Sequence, residues 1–211
     1  MGISNLLSKY WPLFSTPVYK DSVDYNLNID LTTFDYERYV SNDGFSSTDK
    51  EILLTKKFHS LKKQIDKHIE IYLFEGLQLS QGRIRHLRSW INLHKPGDRA
   101  PIHIHSNSFI SGILYLKVPL KNGGGRICFM SPESQPTFKT STLNPYVEQH
   151  NILNSKVWGF VPKDKDIYLF PSHTYHYTDV NESTEDRYCV SFNYFLEGEF
   201  GRKETIEYLE V

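Results

Sequence analysis

The chain has 211 residues, with 24 Lys+Arg against 25 Asp+Glu, a net charge of −1 with neutral histidine, and 39% apolar and 14% aromatic residues. That composition belongs to globular chains, excludes disorder over most of the length, and gives no overall positive field to neutralise phosphates, so it disfavours nucleic acid as the main ligand. Cys128 and Cys189 are too few for a disulfide framework, no stretch approaches the ~18 apolar residues that span a bilayer, and the opening MGISNLLSKYWPLF lacks a basic region followed by a sustained apolar run, so a soluble protein in a reducing, cytoplasmic setting is expected.

The first 45 residues hold Pro12, Pro17 and many Asp, Asn and Ser without a sustained period, and read as an extended arm with one edge strand. Thr48 and Glu51 have the spacing of a capping box, and behind them Leu54, Phe58, Leu61, Ile65, Ile69 and Tyr72 recur at helical steps. This predicts one long helix ending at Gly76, whose opposite face (Lys56, Lys57, Lys62, Lys63, Lys67) is a solvated surface. After Gly82 the texture turns to short β-rich pieces, predicting strands near 84–94, 100–105, 109–118, 125–130, 157–161, 166–170 and 187–195. Seven short strands without a helix among them argue for a mainly β sandwich or barrel, with the one long helix covering an outer face. From Ser131 to Lys156 the sequence is polar, aperiodic and longer than ordinary connections, as a functional flap or a mobile excursion would be. The chain reads as a single domain over 1–211: arm and supporting helix 1–82, β core 83–196, tail 197–211.

Chemistry-bearing residues concentrate in three places. In His103-Ile104-His105 an extended backbone would point both imidazoles the same way, with Cα atoms ~6.6 Å apart, which lets them converge on one metal ion. The spacing alone is weak, since the chain has nine histidines, but a loop (KPGDRAPIHIH) delivers the pair to an apolar strand. In Leu169 to His176 a strand ends at Pro171 and His173 and His176 follow, either of which could complete a three-ligand site. In Arg187 to Phe195 alternation puts Tyr188, Val190, Phe192 and Tyr194 on one face and Arg187, Cys189, Ser191 and Asn193 on the other. The second face suits the inside of a barrel that holds a carboxylate by a guanidinium fork. Trp90, Asn92 and His94 likewise share a face, and Asn92 could reach the same cavity.

Seven collinear pieces resemble a known family: Leu-Phe-x-Thr-Pro-Val-Tyr (Leu13 to Tyr19), Trp-x-Asn (Trp90, Asn92), Pro-Gly (Pro96, Gly97), His-x-His (His103, His105), Ser-Gly-x-x-Tyr-Leu (Ser111 to Leu116), Phe-Pro-Ser followed by His (Phe170 to His176) and Arg-x-x-x-Ser-Phe-Asn (Arg187 to Asn193). Together they are similar to the 2-oxoglutarate- and Fe(II)-dependent oxygenases of bacteria and tailed phages. The resemblance implies a double-stranded β-helix, a jelly-roll or cupin-like barrel, in which His103, His105 and His176 bind Fe(II). It also implies that Arg187 pairs with the distal carboxylate of the cosubstrate 2-oxoglutarate, with Ser191, Tyr115, Asn92 and Asn193 around that cosubstrate, and that His173 is secondary. The implied reaction consumes O2, releases succinate and CO2, and hydroxylates an unactivated C–H of a substrate left open, a peptide side chain or a small metabolite. The apolar runs Ile113 to Leu116 and Ile127 to Met130 would wall the cavity and the 131–156 excursion could close over it.

The sequence departs from the wider superfamily at one place, which uses His-x-Asp or His-x-Glu where this chain has His105. Either the set is all-histidine or His105 is not a ligand, and the all-histidine set is the one favoured. Two rivals stand beside this reading. Gly97 and His-x-His match the opening of the cupin motif Gly-x5-His-x-His, but Ser106 to Ile110 lack its Glu, which weakens a cupin isomerase or sugar-binding barrel. The other rival is a non-enzymatic β-sandwich for assembly or carbohydrate binding. The cluster Arg83, Arg85, His86 and Arg88 could steer an acidic partner, although a solvated face is the simpler reading.

Overall fold

The structure, a computed structural model, describes residues 11, 13, 15–26, 29–79, 82–119, 123–131 and 146–211. Pro12, Phe14 and the middle of the expected flap, 132–145, lie outside the described residues. In chain order the strands are β1 (Tyr19–Ser22), β2 (Tyr36–Arg38), β3 (Phe45–Ser47), β4 (Arg83–His94), β5 (Ile110–Lys117), β6 (Ile127–Met130), β7 (Val157–Phe160), β8 (Asp166–Pro171), β9 (His176–Thr178), β10 (Arg187–Glu197), β11 (Glu199–Phe200) and β12 (Leu209–Glu210), with helix α1 at His59–Glu70. One sheet has the order β1-β8-β5-β10-β4-β3-β2, a second the order β7-β6-β9, and β11 pairs with β12 in the tail. From β4 onward the chain passes back and forth between the two larger sheets, and every ladder is antiparallel. This is the expected mainly β architecture with one long covering helix.

Two packed clusters lie on opposite sides of the large sheet. On one side Phe58, Leu61, Ile65, Ile69 and Tyr72 of the helical segment pack with Val190, Phe192 and Tyr194 of β10. On the other, Ile113, Tyr115, Tyr168, Phe170 and Cys189 of the large sheet meet Ile127 and Phe129 of the small one. Burying a side chain of this kind contributes ~1.5–3 kcal/mol, so both faces of the large sheet are anchored, but only the second leaves space for a site.

Local expectations fail where tertiary pairing takes over. The capping box does not form: Thr48 donates its hydroxyl to Asp35 O, Glu51 bridges to Ser89, and two short 3-10 turns at Ile52–Leu54 and Lys56–Phe58 precede α1. Lys50 O accepts the Ser89 amide at 2.8 Å, and this pairing to β4 holds 50–51 out of a helix. Ile52 and Leu53 take the buried positions and Leu54 is exposed. Ile71–Gly76 continues α1 as a wider π turn. The arm holds β1 at the sheet edge, as expected, and also the β2–β3 hairpin, whose three-residue strands are too short to show alternation. The strand expected at 100–105 is reduced to a bridge between His103 and His176, in a segment where Pro101 has no N–H to donate.

Candidate metal and cosubstrate site

That reduced segment still does the work expected of a strand. His103 and His176 exchange backbone hydrogen bonds at 3.0 and 3.1 Å, and the His105 amide donates to Ser172 O at 2.9 Å. His103, His105 and His176 thereby meet, with their ligand nitrogens all within 4.8 Å of one another and ring centroids 4.2–5.3 Å apart. No carboxylate joins this cluster among the described residues. His173, the other candidate of its turn, is exposed and outside it.

The tautomers suit a ligand role. The His103 Nδ1 lies 2.7 Å from Pro101 O and that of His176 2.9 Å from Thr174 O; a carbonyl only accepts, so both rings carry hydrogen on Nδ1 and leave Nε2 with a free lone pair. Burial lowers the pKa of His103, and burial followed by the neighbouring His103 takes His105 down to about 4 and His176 to about 3. All three are therefore neutral at pH 7, as metal binding requires.

Behind the cluster, Arg187 at the start of β10 is fully buried and forms no ion pair with any described carboxylate. Its Nη1 donates to Gly124 O and, at 3.2 Å, to Gly125 O; its Nη2 donates to Thr178 Oγ1 at 2.9 Å and to His94 Nδ1 at 2.7 Å; its Nε has no partner. Gly125 makes this approach possible: its φ is +81°, and a Cβ there would lie 2.7 Å from Arg187 Nη1. Tyr115, whose hydroxyl is also buried without a partner, feels the Arg187 charge. Hydrogen bonds engage both terminal nitrogens, but the charge has no counter-ion and the buried Nε no acceptor, so this environment fits a carboxylate ligand such as that of 2-oxoglutarate.

A polar chain links this cation to the cavity wall. Because Arg187 only donates, His94 Nδ1 accepts, so His94 carries its hydrogen on Nε2 and donates it to Tyr39 Oη at 3.2 Å. The Tyr39 hydroxyl donates to Asn92 Oδ1 at 2.7 Å, which also takes the Trp90 Nε1 hydrogen at 2.9 Å, and Asn92 Nδ2 donates to Ser191 Oγ at 2.7 Å. Burial, then the Arg187 charge, holds His94 well below the usual imidazole range. A second chain steadies His105: Ser172 Oγ takes Ser108 at 2.8 Å and lies 2.9 Å from Ser111 Oγ, which donates to Asn193 Oδ1 at 2.9 Å.

These groups border a cavity of about 620 Å³ that the three histidines, Asn92, His94, Thr178, Ser191 and Asn193 line together. The structure thus brings Asn92, Ser191 and Asn193 to the histidines, and sets Arg187 and Tyr115 behind the cavity's lining. Sequence reasoning missed Tyr39 and Thr178. Tyr39 comes from the β2–β3 turn, where Gly44 lets His94 close in: a Cβ at Gly44 would sit 2.7 Å from the His94 ring.

Comparison with known proteins agrees with this geometry. A family model described as "Putative 2OG-Fe(II) oxygenase" matches residues 88–193, from the cavity strand β4 to the end of the Arg-x-x-x-Ser-Phe-Asn motif. No curated protein matches the chain. Among solved structures, HygX from Streptomyces hygroscopicus, determined with nickel and 2-oxoglutarate bound, is similar at a TM-score of 0.60 and 11% identity over 100% of this chain and 96% of its own. A Pseudomonas putida prolyl-4-hydroxylase is similar at 0.56 and 10% identity, covering 86% of this chain and 93% of that one. The 2-oxoglutarate-dependent epimerase SnoN of nogalamycin biosynthesis is similar at 0.55 and 12% identity, covering 83% and 71%. At these identities the structures establish the double-stranded β-helix fold, whereas the match over half of the chain establishes kinship. The chain belongs to the 2-oxoglutarate- and Fe(II)-dependent oxygenase family, enzymes that work with Fe(II), 2-oxoglutarate and O2.

Proposed function

We propose that the protein is a dioxygenase that hydroxylates an organic substrate, with His103, His105 and His176 as the iron ligands and Arg187 as the anchor of the 2-oxoglutarate distal carboxylate. The observation that carries this reading is a fully buried guanidinium without a carboxylate partner, hydrogen-bonded to residues that line the same cavity as three neutral, converging imidazoles. Fe(II), 2-oxoglutarate and O2 together supply an oxidant able to take hydrogen from an unactivated C–H, with succinate and CO2 as by-products.

The chain's own residues would perform the rest. Pro101 O and Thr174 O fix the faces that His103 and His176 present, and Ser172 sets the backbone of His105. Arg187, with Tyr115 near it, holds the cosubstrate's far end, while Ser191, Asn92 and Asn193 border the cavity where it lies. Ile113 and Ile127 give that cavity an apolar wall that limits water. A third imidazole in place of a carboxylate leaves one less negative charge around the ion. The same reading takes the chain as one domain, with 1–82 supporting the β core. Family membership leaves the cupin and assembly alternatives without support.

The test is succinate release under O2 with Fe(II) and 2-oxoglutarate. Wild type should release succinate, His176→Ala should fall to background through lost metal, and Arg187→Ala should chiefly raise the 2-oxoglutarate requirement. Equal turnover in all three proteins would remove the assignment.

A further inference from the structure

Strand β4 carries three arginines whose fates differ. Its ladder with β10 slips between Asn193 and Tyr194, so that Arg88 pairs with Asn193 and His86 with Tyr194, leaving Leu87 as an extra residue. The bulge reverses the strand's alternation. Ile84 and His86 turn to the helix side, against the buried apolar cluster and Tyr194. Arg83 and Arg85 share the other face with Arg88, Trp90, Asn92 and His94. Arg83 and Arg85 are both tied to Glu197, at 2.6 and 2.8 Å. Arg88 lines the cavity, and no side-chain hydrogen bond or ion pair joins it to any described residue.

The rest of the cavity sharpens this asymmetry. Among the described residues, Lys50 and Arg88 are the only ones with a permanent charge that line it, and no Asp or Glu does. Lys50 already holds Glu37 at 2.8 Å and Ser46 Oγ at 2.8 Å, whereas Arg88 is exposed to solvent at the cavity wall and its side chain has no protein partner among the described residues. An arginine fork matches planar carboxylate and phosphate oxygens, and an acid-free wall favours such a guest over a neutral or cationic one. About 620 Å³, shared with a metal and a cosubstrate, leaves room for a small molecule.

We propose that the substrate oxidised here is a small molecule bearing an oxyanion, a carboxylate or a phosphate, and that Arg88 receives it at the cavity wall. This rests on the oxygenase reading of the cavity and adds to it the class of substrate and a specificity-determining residue.

The test uses whole protein loaded with nickel and 2-oxoglutarate, so that nothing turns over and the Arg187 site is already filled. Loading is followed by calorimetry before any probe is added; its absence from wild type would overturn this proposal together with the oxygenase reading. The probes are N-acetylleucine against its amide and phenyl phosphate against phenol. At least one anion should bind wild type ~10-fold or more tightly than its neutral counterpart, and the tighter of the two anions tells carboxylate from phosphate. That preference should fall below ~3-fold in Arg88→Gln, persist in Arg83→Gln, and shrink with added salt. Three results would overturn the proposal: no anion preference in wild type, whether the probes bind equally or not at all; a preference that survives Arg88→Gln; or loss of 2-oxoglutarate loading in Arg88→Gln, which would assign this arginine to the cosubstrate.

Discussion

Strand β10 divides the molecule into two environments. Toward α1 it presents Tyr188, Val190, Phe192, Tyr194 and Leu196, buried among apolar side chains. Toward the small sheet it presents Arg187, Cys189, Ser191 and Asn193, equally buried but set among hydrogen-bonding groups. Adjacent residues of one strand thus contribute in different ways: the first face supplies free energy of folding, and the second holds polar groups whose desolvation is offset by hydrogen bonds within the protein.

The largest contrast should come from the neighbours Phe192 and Ser191. Phe192→Ala empties a fully buried ring position and should cost ~3–5 kcal/mol in denaturant unfolding. Ser191→Ala removes one acceptor of Asn92 and should cost about 1 kcal/mol or less while raising the 2-oxoglutarate requirement. Similar costs for the two would erase the distinction between the faces.

Next in size is ligand-linked stability. If the Arg187 charge awaits a carboxylate, 2-oxoglutarate at ~100 times its dissociation constant should stabilise the metal-loaded wild type by ~2.7 kcal/mol. Arg187→Met should lose that stabilisation at the same concentration, which thermal unfolding with and without the cosubstrate will read. An undiminished gain in the variant would free Arg187 from its assigned role.

Acid acts on both faces. His86 on the helix side is lowered to about 4 by burial, then by Lys62, while His105 and His176 on the cavity side stand at about 4 and 3. Each of these bases is neutral in the fold where the unfolded chain would be protonated. Between pH 6.5 and about 4 the unfolded state therefore binds more protons, and the metal-free protein should lose stability steadily as pH falls through that window. Above pH 6.5 these groups make no difference. The His86→Phe variant should flatten the slope in part, and an unchanged slope would show that the helix-side histidine does not contribute.

The convergence of the three histidines and part of the cavity wall, Asn92, Ser191 and Asn193, were legible in the sequence, whereas Tyr39 and Thr178 were not. His103, His105, His176 and Arg187 sit in short contiguous motifs, and the alternation of β10 already separated the two faces. The expected strand at 100–105 failed without harm, because the bridge between His103 and His176 aims the rings without a full ladder. Tyr39 escaped notice because its partners Asn92 and His94 lie more than fifty positions away, reached through a hairpin of three-residue strands. The bulge at Leu87, which puts Arg83 and Arg85 on the face of Arg88, leaves no sign in residue types, since it depends on where β10 slips against β4. The long helix was legible from its apolar stripe, but its start was displaced because residues 50–51 pair with β4.

The most direct measurement is anaerobic titration of metal-free protein with Fe(II), followed by 2-oxoglutarate, for wild type and the single variants His103→Ala, His105→Ala and His176→Ala. The account predicts one Fe(II) per chain, one 2-oxoglutarate binding only after it, and a fall in iron affinity of ~100-fold or more in each of the three variants. Iron bound with wild-type affinity by any one variant, His105→Ala above all, would contradict the three-histidine centre.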